Sequence, residues 1–137
     1  MDNCIFCKIV NKEIPARIIY EDNDIISFLD ISQATKGHCL VVLKKHFSDI
    51  TSTDDELLAK AIVIAKKIAI KQLKNLEGII GVNIINNTLE GAGQTIMHTH
   101  IHVIPRYKDD ELDIVFPNNF GKNSDEQLNS LVKKLKI

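Results

Sequence analysis

Apolar and polar positions alternate along this chain in two rhythms. Between residues 54 and 76 the apolar side chains Leu57, Leu58, Ala61, Ile62, Ala65, Ile68, Ala69 and Leu73 recur three and four residues apart. Lys60, Lys66, Lys67 and Lys71 fall largely off that stripe, so the pattern predicts one long amphipathic helix. Thr53-Asp54-Asp55-Glu56 has the form of a capping box with Thr53 as N-cap, and Gly78 is the expected stop. Other apolar runs are short and β-branched. Residues 17–21 and 25–29 predict a hairpin closed by Asp22-Asn23-Asp24. Residues 38–43 predict a third strand, 81–86 a fourth and 97–104 a fifth, with Pro105 as its end. Apolar residues at 5, 6, 9 and 10 fit one or two turns of helix, broken by residues 11–15. Polar loops are expected over 30–37 and 87–95. Residues 106–122 read as irregular, with apolar patches at Ile114-Val115-Phe116 and Phe120, and 124–135 as a short C-terminal helix capped from Ser124. The whole predicts a single domain, 1–137, of the α+β class, with a largely antiparallel five-stranded sheet.

Composition narrows the classes of function. A chain of 137 residues buries a sizeable core without disulfides. A net charge of −1 gives no electrostatic reason to expect nucleic acid or an anionic membrane as partner. No apolar run approaches the roughly 18–20 residues that span a bilayer. Met1-Asp2-Asn3-Cys4 lacks the basic and apolar segments of a secretory leader, so a cytoplasmic location is expected. In that reducing compartment Cys4-x-x-Cys7 reads as half a metal site or a redox pair rather than a staple. Cys39 reads as a small buried apolar residue.

The fifth strand carries the chemistry. His98, His100 and His102 stand at every second position, so a strand sends all three imidazoles to one face, with neighbours about 6–7 Å apart. Burying three imidazoles for structure alone requires partners for six ring nitrogens. Two functional readings remain: a three-histidine metal site with an open position, or an imidazole that attacks an electrophile. The preceding loop supplies Asn87, Gly93, Gln94 and Thr95, whose amide, hydroxyl and backbone donors suit phosphate oxygens. That favours attack on phosphorus.

His98-Thr99-His100-Ile101-His102-Val103-Ile104 resembles the motif of the histidine triad family. So, in order, do Ile5-Phe6-Cys7-Lys8-Ile9, Glu13-Ile14-Pro15-Ala16, Phe28-Leu29-Asp30-Ile31, Gly37-His38 and Gly91-Ala92-Gly93-Gln94-Thr95. The last thirty residues match least, and Thr99 stands where the motif usually has a bulkier apolar residue. The likeness is to the Hint-like bacterial Hit branch. It implies hydrolysis of nucleoside 5′-phosphoramidates or related AMP- or GMP-class conjugates through a covalent nucleotidyl-histidine. His100 matches the nucleophile, His102 the residue beside the phosphate, and His38 the separate histidine that completes the site. Asn87, Gly93, Gln94 and Thr95 match the phosphate-contacting positions and Asp30 the carboxylate that takes the ribose hydroxyls. Ile5, Phe6, Ile9, Phe28, Ile31 and Leu40 match the pocket around a purine base. Family members are usually homodimers.

Some members of the superfamily bind zinc through two cysteines, a distant histidine and the first histidine of the motif. The same pattern stands here as Cys4, Cys7, His46 and His98, which implies a structural Zn2+. A nucleotide-binding or partner-binding module with little turnover is the alternative to the hydrolase.

Overall fold

The computed structural model describes residues 3–137; Met1 and Asp2, part of the opening read above for the lack of a leader, lie outside them. The elements are α1 (Ile5–Val10), β1 (Ile18–Glu21), β2 (Ile25–Leu29), β3 (Cys39–Leu43), α2 (Asp55–Asn75), β4 (Ile79–Ile85), β5 (His100–Tyr107) and α3 (Asp125–Leu135). Short 3-10 turns occupy Ile50–Ser52 and Glu90–Ala92. The strands form one sheet in the order β1-β2-β3-β5-β4, and every neighbouring pair is antiparallel. The α+β class, the five strands, the long helix and the C-terminal helix agree with the sequence expectation.

Both faces of the central strands are covered, which is why β2 and β3 read as unbroken apolar runs. On one face Ile25, Cys39, Val41, Leu43, Ile101 and Val103 pack beneath Ala61, Ile64, Ala65 and Ile68 of α2. On the other, Ile26, Phe28, Leu40 and Val42 pack against Phe6 and Ile9 of α1. A helix of 21 residues covers the first face, and only six helical residues and a loop shelter the second. The histidines stand on that thinly covered side.

Three expectations are corrected. Asp54, not Thr53, is the N-cap of α2: its carboxylate accepts the Leu57 N–H at 3.0 Å, where negative charge also suits the helix dipole. The Thr53 hydroxyl instead donates to the Asp49 carbonyl and meets the Thr99 hydroxyl at 2.7 Å. That buried pair explains the polar residue in the motif. Pro105 does not end the fifth strand; β5 continues to Tyr107, with Pro105 opposite Val82. The Pro105 carbonyl accepts from the Thr35 hydroxyl, on the side away from β4. Its missing N–H points the same way, so no ladder bond to β4 is lost. Finally, the strand starts at His100, and residues 96–98 form a bend before it. Among the described residues no helix is long and apolar enough to cross a membrane.

Candidate functional site

Strand alternation sends Ile101 and Val103 under α2 and His100 and His102 to the α1 side, where their ring centroids are 5.1 Å apart. His98, though before the strand, shares that side: the Phe6 ring meets His98 edge-on at 5.8 Å and His100 at 5.0 Å. The register β3–β5 pairs Leu40 with His102 and Val42 with His100. His38, immediately before β3, therefore reaches His102, with its Nε2 2.9 Å from the His102 Nδ1.

Backbone partners assign the protons. The His100 Nδ1 lies 2.6 Å from the His98 carbonyl, which can only accept, so Nδ1 carries the hydrogen and Nε2 keeps its lone pair. The His38 Nδ1 accepts the Ala34 N–H at 3.2 Å, so its hydrogen is on Nε2 and is donated to the His102 Nδ1. His102 then carries its own hydrogen on Nε2. The result is one imidazole with a bare nitrogen beside another that presents a donor.

Burial keeps these rings neutral. It lowers the pKa of His100 and His38, and it pushes His102 down to about 4 with help from like charge on His100 and His38. Asp30 lies 3.8 Å from the His38 Nε2. Burial alone would raise the Asp30 carboxyl. The Ser32 hydroxyl and N–H, with the two facing imidazoles, hold it below its ordinary range.

A mostly apolar cavity of about 480 Å3 adjoins Asp30, walled by Ile5, Phe6, Ile9, Phe28 and Ile31 among others. Leu40 is buried in the core cluster below and does not line it. Arg17 stands at the wall, whereas the Gln33 amide is taken up by the Asp30 and His38 carbonyls and the Gly37 N–H. A larger apolar cavity of about 580 Å3 lies between α2 and β1, and no histidine lines it.

The loop before β5 is held from within. Gln94 is buried, with its oxygen accepting the Leu89 N–H and its nitrogen donating to the Ser48 and Ile96 carbonyls. Its backbone N–H bonds the Leu89 carbonyl. Gln94 therefore braces the loop and leaves no free donor. Gly93, at φ +97°, is bonded through its carbonyl by the Asn87 amide, and Thr95 is exposed. Asn86, which sequence reading passed over, donates to the His100 carbonyl at 2.9 Å. Nothing in its own type distinguishes it from Asn87; the β4–β5 register creates the contact.

The second cluster lies at the N-terminal edge. Cys4 Sγ is 3.3 Å from His98 Nδ1, Cys7 Sγ is 3.3 Å from His46 Nδ1 and 3.5 Å from His98 Nδ1, and the two Nδ1 atoms are 3.1 Å apart. A tetrahedral ion with bonds of about 2.3 Å to sulfur and 2.0–2.1 Å to nitrogen gives edges of about 3.3–3.8 Å. The four donors fit that outline. The His98 Nε2 donates to the Leu43 carbonyl at 2.6 Å, which leaves its Nδ1 lone pair facing the cysteines. Burial and the neighbouring Cys4 push the Cys7 thiol up to about 11, the opposite of what a thiolate ligand needs. A cation at the centre reverses that. Asp30, His38 and His102 also converge, but the Ala34 N–H fixes the His38 proton on Nε2, the atom a metal would need. The three motif histidines thus do not share one ion.

The sequence profile of the HIT domain matches residues 11–109. An uncharacterized HIT-like protein of Methanocaldococcus jannaschii is 44% identical over 133 residues, covering 97% of this chain and 98% of its own. Among solved structures, a HIT family protein from Bacillus subtilis superposes with a TM-score of 0.90 at 40% identity, covering 96% and 94% of the two chains. A Zn-bound histidine triad family protein from Mycobacterium smegmatis gives 0.77 at 34% identity, covering 98% and 96%. A HIT family hydrolase from Legionella pneumophila gives 0.68 at 36% identity, covering 84% and 98%.

Proposed function

This chain belongs to the HIT family, and from that premise we propose that it is a cytoplasmic hydrolase of nucleoside 5′-phosphoramidates or related purine nucleotidyl conjugates, working through a covalent nucleotidyl-His100. The family and its hydrolase member support a nucleotide-binding hydrolase in general. The observation that carries the finer reading is the bare Nε2 of His100, set by the Nδ1 bond to the His98 carbonyl.

In this reading the purine enters the apolar cavity beside Phe6 and Phe28, and Asp30 accepts the ribose hydroxyls. Asn87 and Thr95 offer donors to the phosphate, Gly93, whose N–H is held by the Glu90 carbonyl at 2.9 Å, lets the loop come close, and Gln94 keeps that loop in shape. The His100 Nε2 lone pair attacks the α-phosphorus as the bond to the leaving nitrogen breaks. That nitrogen departs as an amine, taking up a proton. The His102 Nε2–H steadies the charge on the phosphoryl oxygens. Water then attacks the same phosphorus, the N–P bond breaks, and the nucleoside monophosphate leaves with neutral His100 restored.

Cys4, Cys7, His46 and His98 would hold a structural Zn2+, which supplies cross-linking and no chemistry, since four protein ligands leave no open position. The Zn-bound relative supports a metal in this family. The active protein is read as a homodimer.

The test is a denaturing quench at alkaline pH, where an N–P bond survives, during turnover of adenosine 5′-phosphoramidate. Mass spectrometry is expected to find an adenylyl group on the peptide carrying His100. His100→Ala is expected to lose the adduct and at least about a thousandfold in kcat while still binding AMP. Turnover at the parent rate in that variant overturns the mechanism. AMP binding with negligible turnover across several leaving groups would favour a binding module.

A further inference from the structure

His100 stands at the very end of its strand. β5 begins at that residue. On the β3 side Val42 lies opposite it, as the last pair of that register. On the β4 side the pairing stops two residues short, at Ile85 opposite His102. The main chain that carries the imidazole therefore has a strand neighbour on one side only. A strand end without a neighbour has main-chain groups in need of partners and is prone to fray.

The Asn86 side chain takes the place of the missing strand. β4 ends at Ile85, and the amide of the next residue turns to the His100 carbonyl, with its Nδ2 2.9 Å away. A carbonyl only accepts, so the amide nitrogen faces His100 and Oδ1 faces away from it. There Oδ1 accepts the Thr88 hydroxyl at 2.8 Å. One half-buried amide is thus bonded to the strand at one atom and to the loop at the other. Asn86 is not on the wall of the cavity beside Asp30, so it does not face the base or ribose of the proposed substrate. Its neighbour Asn87 bonds the Gly93 carbonyl within the loop. Two adjacent residues of one type therefore have different work: Asn87 belongs to the loop, and Asn86 joins that loop to the strand.

The other ties at this strand end act elsewhere. The Thr99 N–H donates to the Phe47 carbonyl at 2.8 Å, and its hydroxyl meets that of Thr53. These fix the residue before His100. The His100 Nδ1–H bond to the His98 carbonyl sets the rotation of the ring. Asn86 fixes the carbonyl side of the same residue.

We propose that Asn86 is a positioning residue for His100: its amide holds the main chain of the nucleophile and, through Thr88, keeps it in register with the loop that meets the phosphate. The inference rests on the preceding reading of His100 as the nucleophile. Asn86 touches no reacting atom. It acts on the distance and line of approach of the His100 Nε2 to phosphorus, where a misplacement of about 1 Å costs about a hundredfold. A bond that acts on alignment alone lowers kcat without weakening the nucleotide complex.

The test uses the full chain, Asn86→Asp and Asn86→Ala, and adenosine 5′-phosphoramidate. Asp keeps the size of the side chain and the acceptor for Thr88, and it loses the donor to His100. Ala loses both. In a rapid quench at saturating substrate, adenylyl transfer to His100 is expected to slow about ten- to a hundredfold in both variants. AMP affinity is expected to stay within about twofold of the parent. A role in folding alone would lower the thermal melt and the affinity together with the rate. If Asn86→Ala does not fold, Asn86→Asp, which keeps the Thr88 bond, decides. A parent that turns over without an adduct on His100 overturns the covalent reading and this inference with it. A parent that forms the adduct, with Asn86→Asp forming it as fast, overturns the inference alone. An AMP affinity that falls in step with the rate also overturns it, because Asn86 would then be shaping the pocket rather than aligning the nucleophile.

Discussion

Each histidine of the triad differs from the next by the partner of its second nitrogen. His98 gives Nε2–H to Leu43 and turns Nδ1 to the cysteines; His100 gives Nδ1–H to His98 and keeps Nε2 bare; His102 takes a hydrogen from His38. The three-residue alternation was legible in sequence, but these partners were not, because two are backbone carbonyls and a carbonyl has no residue type to read. The neutral rings also predict how stability depends on pH. His102 is held at about 4 in the fold against an ordinary 6.5, so between those values the unfolded chain binds more protons than the native one. Its contribution is complete above about pH 6.5 and declines as the pH falls towards 4. Thermal melts from pH 7.5 to 4.5 are expected to show the melting temperature falling with acid, and His102→Gln to show a shallower fall. A slope identical in the two proteins would exclude His102 as a contributor.

Elements were legible where one period ran long, as in α2, and blurred where tertiary contacts decide a terminus. Thr53 reads as a cap, but the Thr99 hydroxyl, 46 residues away, claims it and Asp54 takes its place. Pro105 reads as a stop, but its position on the side of β5 away from β4 lets the strand run on. The loop 87–95 shows the same limit at the site. Its donor-rich composition marks it out, but composition does not say that Gln94 faces inward while Thr95 faces out. The inward Gln94 makes a prediction. Gln94→Ala leaves the Leu89 N–H and the Ser48 and Ile96 carbonyls without this partner. It is expected to cost about 1–3 kcal/mol of stability and to raise KM for a nucleotide substrate through loss of loop shape. Denaturant melts and steady-state kinetics check the two parts. A variant as stable as its parent would mean that the loop holds itself.

At the scale of the molecule, one sheet has two unequal covers. The α2 side has a continuous core, whereas the other side depends on α1, six residues capped by Cys4 that carry Cys7 and place Phe6 and Ile9 on the wall of the apolar cavity beside Asp30. A helix that short does not persist by itself. Its ties to the sheet are the packing of Phe6 and Ile9 on the strands and, when a metal is bound, the bonds from its cysteines to His46 and His98. His98 is in turn the residue whose carbonyl orients His100, the proposed nucleophile. With the proposed ion bound, removing it is therefore expected to act on that cavity wall and on His100 together, and to leave the α2 core intact. In hydrogen exchange, chelation is expected to speed the amides of residues 5–16 and to leave those of α2, β3 and β5 slow. AMP affinity is expected to fall about tenfold or more, and by linkage AMP must tighten metal binding by the same factor. If the stripped protein binds AMP as well as the loaded one, α1 is held by packing alone. If the whole sheet exchanges quickly, the metal sustains the entire domain rather than its thin side.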